Sequence, residues 1–255
     1  MVWIPPGPFC YGLDAHMDTL AYGYHIGKYE VTNEQFYHFL LGAMAEDKFQ
    51  RNGEQLLWHY AGDALIPAGL YHIKNWDDRI YFDKDSLVLN PRFRNHPVVN
   101  VTWFGGVAFC DYYGFELPDT KEWEKAARGP YNYWYPWGNT IDGSFANYYR
   151  SNDPFEPNTT PVGYYDGTNH NGFQTSHAGS VYGCYDMSGN AWEWTREFWS
   201  SQTPYTKGKG GGYYYHTPAF LQIYYTSTYG PSTPPPLDMC NISDGFRVVY
   251  KFKAP

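Results

Sequence analysis

The chain is poor in charge: Asp, Glu, Lys and Arg make up 17% of its 255 residues, and the formal net charge is −8. No run of Lys and Arg occurs anywhere, so the electrostatic footprint that a polyanion needs is missing and nucleic acid is not the expected partner. No stretch approaches the roughly 18 consecutive apolar residues of a membrane-spanning helix. The opening Met1-Val2-Trp3-Ile4-Pro5-Pro6-Gly7 lacks the basic region and apolar core of a signal peptide. Cysteine is scarce: Cys10, Cys110, Cys184 and Cys240 stand far apart, which excludes a zinc knuckle or a thioredoxin-like pair. They read as free thiols, Cys110 as a small hydrophobe within a helix. The glycine run Gly208–Gly212 is not followed by a helix opening on Lys-Ser or Lys-Thr, so it is not a phosphate loop. Asp77-Asp78 and Asp83 with Asp85 read as solvated charge pairs.

The sharpest absence is local. From Tyr213 to Ser243 there is no Lys, Arg, Glu or Trp. Such a segment is poor material for acid–base chemistry. What it holds instead is Tyr213-Tyr214-Tyr215-His216, Tyr224-Tyr225, Tyr229 and Pro234-Pro235-Pro236. Tyrosine offers large, stiff, amphipathic contact area at low entropic cost, so the segment suits binding.

What is abundant is aromatic residues, at 21%, with 26 glycines and 19 prolines. That composition predicts a loop-rich fold, and the length predicts one large domain over 1–255. Thr32 and Gln35 form a capping-box pattern before a stripe of Phe36, Phe39 and Leu40, which predicts a first helix with Val31 stapled onto it. Residues 46–95 read as an irregular insertion, with short strands near Tyr71–Ile73 and Arg79–Phe82. Thr102 caps a second helix that Gly114 ends. Asp119 and Glu122 cap a third, Thr120 to Arg128, which Gly129-Pro130 stops. Beyond Pro130 the pattern is turns and short strands. In the Trp192-Glu193-Trp194 strand the tryptophans are expected to face the core. Helices first and irregular β structure afterwards predict an α+β domain.

Ordered motifs along the chain carry a resemblance. Tyr29-Glu30-Val31-Thr32-Asn33, His96-Pro97-Val98-Val99-Asn100-Val101-Thr102-Trp103 and Leu117-Pro118-Asp119-Thr120-Lys121-Glu122-Trp123-Glu124 come first. Tyr135-Pro136-Trp137-Gly138, Thr160-Pro161-Val162-Gly163, Gly189-Asn190-Ala191-Trp192-Glu193-Trp194-Thr195 and Gly245-Phe246-Arg247 follow. Together they resemble the formylglycine-generating enzyme / sulfatase-modifying factor family, which implies a C-type-lectin-like fold. Fold does not fix function.

The oxidase of that family holds copper on two cysteines, as suits soft thiolates and Cu(I). Aligned from the Gly210-Gly211-Gly212-Tyr213 turn, those positions are Tyr215 and Phe220, and Cys240 is the one thiol nearby. No copper and no oxidase activity are therefore expected. Relatives with iron-dependent sulfoxide synthesis carry a histidine motif, whereas His25, His38, His59 and His72 here lack HxxxH-type spacing.

The resemblance also implies structural calcium, a hard cation that takes oxygen ligands. One set matches Asp186, Gly189, Ala191 and Glu193, and a second matches Asn147, Tyr148, Asp153 and Phe155. The alternative for the first is a capped turn without metal. Finally, the variable proteins of diversity-generating retroelements share this fold and place diversified residues between the Gly-Gly turn and a terminal Gly-Phe-Arg. Their adenine-directed diversification of AAC-type codons cannot yield Lys, Glu, Gln, Met or Trp. Residues 213–243 fit that set apart from Gln222 and Met239. The expectation is a variable surface that binds a protein or other macromolecule through Tyr213, Tyr214, Tyr215, His216, Tyr224, Tyr225, Thr226, Thr228, Tyr229, Asp238 and Asn241. The alternative is a family relative with a lost or altered oxidase site.

Overall fold

A computed structural model describes the chain apart from residues 54, 65, 201–202, 215–216, 229–239 and 253–255. For 198–200, 203–207 and 228 it describes the backbone alone. Four short strands open the fold: β1 (Val2–Ile4), β2 (Gly7–Tyr11), β3 (His16–Leu20) and β4 (Tyr24–Ile26). Helix α1 (Asn33–Ala45) starts where the sequence predicts, because Thr32 Oγ1 accepts from Gln35 N while Gln35 Oε1 accepts from Thr32 N. Val31, Phe36, Phe39 and Leu40 are all buried, so the predicted stripe does face the core.

The region 46–95 is more regular than the expected irregular insertion, and the short strands expected near Tyr71 and Phe82 are present in it. It forms an antiparallel three-stranded sheet of β5 (Phe49–Asn52), β6 (Gln55–Tyr60) and β7 (Gly69–His72), then a hairpin of β8 (Ile80–Asp83) and β9 (Ser86–Leu89). The sheet is held by aromatic contact with the next helix, α2 (Trp103–Tyr113): Tyr71 stacks on Phe104 at 3.8 Å, and the Tyr60 ring meets the edge of Trp103 at 5.9 Å. Thr102 Oγ1 caps α2 and Gly114 ends it at φ 75°. Helix α3 (Thr120–Arg128) carries the reciprocal Asp119–Glu122 cap. Its charged residues are buried by pairing: Glu124 accepts from Arg128 Nη2 at 2.9 Å and from Lys209 Nζ at 2.8 Å.

Beyond α3 come a small hairpin, β10 (Asn169–His170) with β11 (Phe173–Gln174), and then longer structure than expected. Strands β12 (Trp192–Ser200), β13 (Thr203–Lys209), β14 (Ser227–Thr228) and β15 (Asp244–Gly245) form a sheet in the order β14-β13-β12-β15, with β15 parallel to β12. The last strand, β16 (Val249–Tyr250), returns to pair with β4 beside β1. This is the expected α+β architecture. A core cluster around Phe36, Phe39, Phe104, Phe109 and Phe246 joins the helices to the C-terminal end of the chain. A second, around Phe9, Tyr24, Trp123 and Met187, joins the N-terminal strands to α3. Cys10, Cys110, Cys184 and Cys240 are free thiols.

Candidate ligand-binding surface

Two fixed ends frame the aromatic segment. At the first, Gly210 and Gly211 hold φ of 89° and 73°, a region that only glycine enters cheaply. A Cβ on Gly211 would lie 2.8 Å from Leu221 Cδ1, and one on Gly212 would lie 2.8 Å from Ser243 Cβ. At the second end a Cβ on Gly245 would sit 2.5 Å from the Val98 carbonyl oxygen. Phe246 then enters the core 5.3 Å from Phe109, and Arg247 is fully buried.

Between the ends, buried anchors alternate with half-exposed residues. Leu221 and Ile223 are fully buried, and Ile223 N donates to the Trp134 carbonyl at 2.8 Å. Ser188 Oγ fixes the Leu221 carbonyl at 2.7 Å, and Tyr135 OH fixes that of Pro218 at 3.1 Å. Tyr214, Tyr224, Tyr225 and Thr226 are half-buried, and Asn241 is exposed. Tyr224 OH donates to Gln222 Oε1, and the Tyr225 ring lies edge-on to Phe220 at 5.0 Å and 6.0 Å from Trp192.

Tyr213 is the exception and corrects the expected surface. It is 6% exposed, its hydroxyl donates to the Ile242 carbonyl at 3.2 Å, and burial raises its pKa. It packs under the segment because it follows directly on the tight glycine turn. Tyr215, His216, Tyr229 and Asp238 lie outside the described residues, and Thr228 is described only as backbone on β14. Phe220 and Gln222 share this surface, although they are not among the contact residues expected from sequence. The alternation of Leu221 and Ile223 about Gln222 was the signal that could have found the pattern.

The first expected calcium set is arranged otherwise than predicted. Asp186, Gly189 and Ala191 do lie in one tight turn, where Asp186 and Gly189 hold φ of 57° and 89°. Glu193, however, points at Arg247: Nε donates to Oε2 and Nη2 to Oε1, both at 2.6 Å, and Trp123 Nε1 adds a bond to Oε2 at 2.7 Å. A guanidinium on both oxygens repels a divalent cation, so Glu193 does not fit as a ligand. Asp186 Oδ2 accepts from Gly163 N at 2.6 Å, and burial pushes its pKa up to about 6. Nearby, Glu30 accepts from Asn190 Nδ2 and Ala191 N, and its pKa is raised well above the usual range by burial and then by Asp186 and Glu193.

The second set fits better. Asn147 and Asp153 are buried, and Asp153 accepts from Ser151 Oγ at 2.7 Å and Phe155 N at 2.8 Å. Burial raises its pKa, and no basic group is among the influences on it. The Tyr148 carbonyl accepts from Ser151 N in the same turn. A buried carboxylate with no guanidinium on it is the kind of oxygen donor a hard cation takes. Among the described residues, no three His, Cys, Asp or Glu side chains converge as metal ligands.

Comparison with known proteins places this arrangement. Residues 1–252 match the sulfatase-modifying factor enzyme 1-like domain. The chain belongs to this family. It is 29% identical over 286 residues to the formylglycine-generating enzyme of Mus musculus, covering 97% of this chain and 74% of that enzyme. It is 32% identical over 211 residues to the serine/threonine-protein kinase Pkn1 of Chlamydia trachomatis, covering 78% of this chain but spanning only 28% of the kinase. Among solved structures, Treponema denticola variable protein 1 superimposes with a TM-score of 0.60 at 16% identity, covering 98% of this chain and 94% of that one, a likeness of fold. The fold is therefore the C-type-lectin-like one of the formylglycine-generating enzyme family.

Three of the thiols, Cys110, Cys184 and Cys240, lie where burial disfavours the thiolate. Burial pushes the Cys240 thiol up to about 12, and its Sγ donates to the Asn100 carbonyl at 2.9 Å. Burial pushes Cys184 up to about 11 and Cys110 well above its ordinary value. The reactive form of cysteine is the thiolate, which such environments disfavour. Phe220 is a half-buried ring in the aromatic surface. No helix among the described residues is long and apolar enough to cross a membrane.

Proposed function

We propose that this chain is a ligand-binding member of the family. Its contact surface is the aromatic segment between Gly212 and Gly245, diversified by a retroelement, and its partner is a protein or other macromolecule. The observation that carries the reading is the division of labour within the segment. Half-exposed Tyr214, Tyr224 and Tyr225 stand on the buried anchors Leu221 and Ile223, between ends where only glycine fits. Such a frame tolerates change at the outward side chains without opening a cavity. The residue types of the segment and the likeness of fold to Treponema denticola variable protein 1 support the same reading.

The second reading, a family relative with a lost or altered oxidase site, is favoured by the identity to the mouse formylglycine-generating enzyme. In either case, oxidation of a substrate cysteine by a copper thiolate pair is not expected, because counting from the glycine turn, as the resemblance suggests, sets Tyr215 and Phe220 against the cysteine positions. Genomic sequence decides between the readings. A near-identical repeat of the segment encoding Gly212 to Arg247, differing at adenines and beside a reverse transcriptase gene, is expected. A locus without that repeat would leave a fixed surface. Incubation with a sulfatase-type cysteine peptide and Cu(I), followed by mass spectrometry, should give no aldehyde, and a stoichiometric aldehyde would restore the oxidase.

A further inference from the structure

A cavity of about 510 Å³ opens beside the start of α1, and it shares no residue with the aromatic segment. That volume lies in the ordinary range for small-molecule sites. Its apolar wall includes Val31, Phe109, Tyr113, Phe115 and Val248, facing a more polar side with Thr32, Gln35 and His38; Val31, Phe109 and Val248 belong to the buried core and Tyr113 is 43% exposed. Apolar surface continues outward from Phe115, whose ring lies 6.4 Å from Tyr250, which in turn lies 5.4 Å from Phe252. Phe252 is 66% exposed, so the apolar strip reaches well beyond the cavity.

One cation stands at the rim. The Lys28 carbonyl is tied to Tyr185 N at 2.9 Å, and its ammonium lies over the rings of Tyr29 and Tyr185 at 5.2 and 5.5 Å. The two ring faces orient the charge without neutralising it. Among the described residues the lysines in ion pairs are Lys74, Lys121, Lys209 and Lys251, and Lys28 is not one of them. The neighbouring Glu30 turns its carboxylate inward, onto Asn190 and Ala191 N. An oriented, unneutralised cation over an apolar slot is complementary to a molecule of opposite charge at one end and hydrocarbon along the rest.

We propose that this cavity binds an amphiphile with a single anionic head and an unbranched apolar tail, of the medium-chain carboxylate class. Lys28 takes the head, and the tail lies between Val248, Phe115 and Tyr113. The probe is sodium dodecanoate below its micelle concentration, followed by isothermal titration calorimetry on the full chain. Saturable one-to-one binding is expected, weakened at least about tenfold by Lys28→Glu. Tyr113→Asp, which brings a charge to the tail wall, should weaken it likewise. Lys28 is exposed, so Lys28→Glu should melt as the parent does; Tyr113 also packs on Phe109 at 4.9 Å, so Tyr113→Asp is titrated below its own measured melting transition, which separates lost binding from lost fold. Dodecyltrimethylammonium should bind Lys28→Glu better than the parent. Absence of saturable binding to the parent overturns the proposal. So does a Lys28→Glu variant that binds dodecanoate as tightly, an unaffected Tyr113→Asp variant, or equal binding of the two detergents by the parent.

Discussion

Glu193 and Arg247 join the central strand β12 to the C-terminal Gly-Phe-Arg through two 2.6 Å bonds, and both side chains are fully buried. Arg247 also donates to the carbonyls of Gly27 and Tyr185, so one guanidinium ties four parts of the chain together. Removing one partner of such a pair strands the other charge in the interior. Arg247→Ala should therefore cost roughly 3–5 kcal/mol in urea denaturation. Arg196 pairs with Glu116 and Asp119 while 43% exposed, and Arg196→Ala should cost no more than about 1 kcal/mol. Equal losses for the two would show that burial does not set the value of the Glu193–Arg247 pair.

The calcium dependence that the resemblance implies is proposed to rest on Asp153 rather than Glu193, whose oxygens are taken by Arg247. A ligand that binds only the folded state raises its stability by mass action. The melting temperature should rise with added Ca²⁺ and fall in excess chelator, and Asp153→Asn should abolish that response. Glu193→Gln should lower melting in both conditions and leave the calcium increment intact. A calcium increment that vanishes in Glu193→Gln but survives in Asp153→Asn would return the site to the Asp186 turn.

Much of the frame was legible in the sequence because its signals are local. The caps at Thr32, Thr102 and Asp119 and the stop at Gly114 are each set by residues within one helical turn. The sheet of 46–95 was legible only in part, in the strands expected near Tyr71 and Phe82. Few of its side chains are fully buried, and those, such as Leu56, gain their meaning only against the core. The fate of Glu193 was hidden for a similar reason. The resemblance implies a ligand role for it, while the guanidinium that both its oxygens meet lies 54 residues away in sequence. The glycine ends of the aromatic segment were visible as punctuation, but the burial of Tyr213 depends on the Ile242 carbonyl across the loop.

Acid titration should show two opposing effects. His96 is 3% exposed and bonded to Thr159 Oγ1 at 3.0 Å, and burial lowers its pKa from 6.5 to about 4. The unfolded chain therefore takes up this proton first. Stability from His96 is complete above about pH 6.5 and is lost as pH falls to about 4, by roughly 3 kcal/mol in all. Asp186 works in the other direction. Its folded pKa, raised from 3.8 to about 6, makes the fold bind the proton first, so stability is gained as pH falls through that range. Glu30, also raised, adds to the gain. Asp186→Asn keeps an oxygen for Gly163 N and removes its share of the gain. Its melting temperature should exceed that of the parent above pH 7, then fall more steeply between pH 6.5 and 4. Parallel melting curves across pH would show that Asp186 does not titrate in that window.

The aromatic surface itself can be tested by where tyrosine is replaced. Tyr214 and Tyr224 are half-buried, and their rings lean on neighbours rather than fill the core. Replacing both by Ser should leave the melting temperature within a few degrees, because little apolar area returns to water. Tyr213 is different: it is 6% exposed, and its hydroxyl satisfies the Ile242 carbonyl. Tyr213→Ser should cost roughly 3–5 kcal/mol, as for a buried aromatic lost from a core. Tyr225, against Phe220 and Trp192, should fall between the two. The ordering matters more than any single value. A surface built for diversification needs outward positions that are cheap to change, standing on inward positions that are not. If Tyr214→Ser with Tyr224→Ser unfolds the protein as Tyr213→Ser does, the segment is a fixed part of the core and the diversified-surface reading fails.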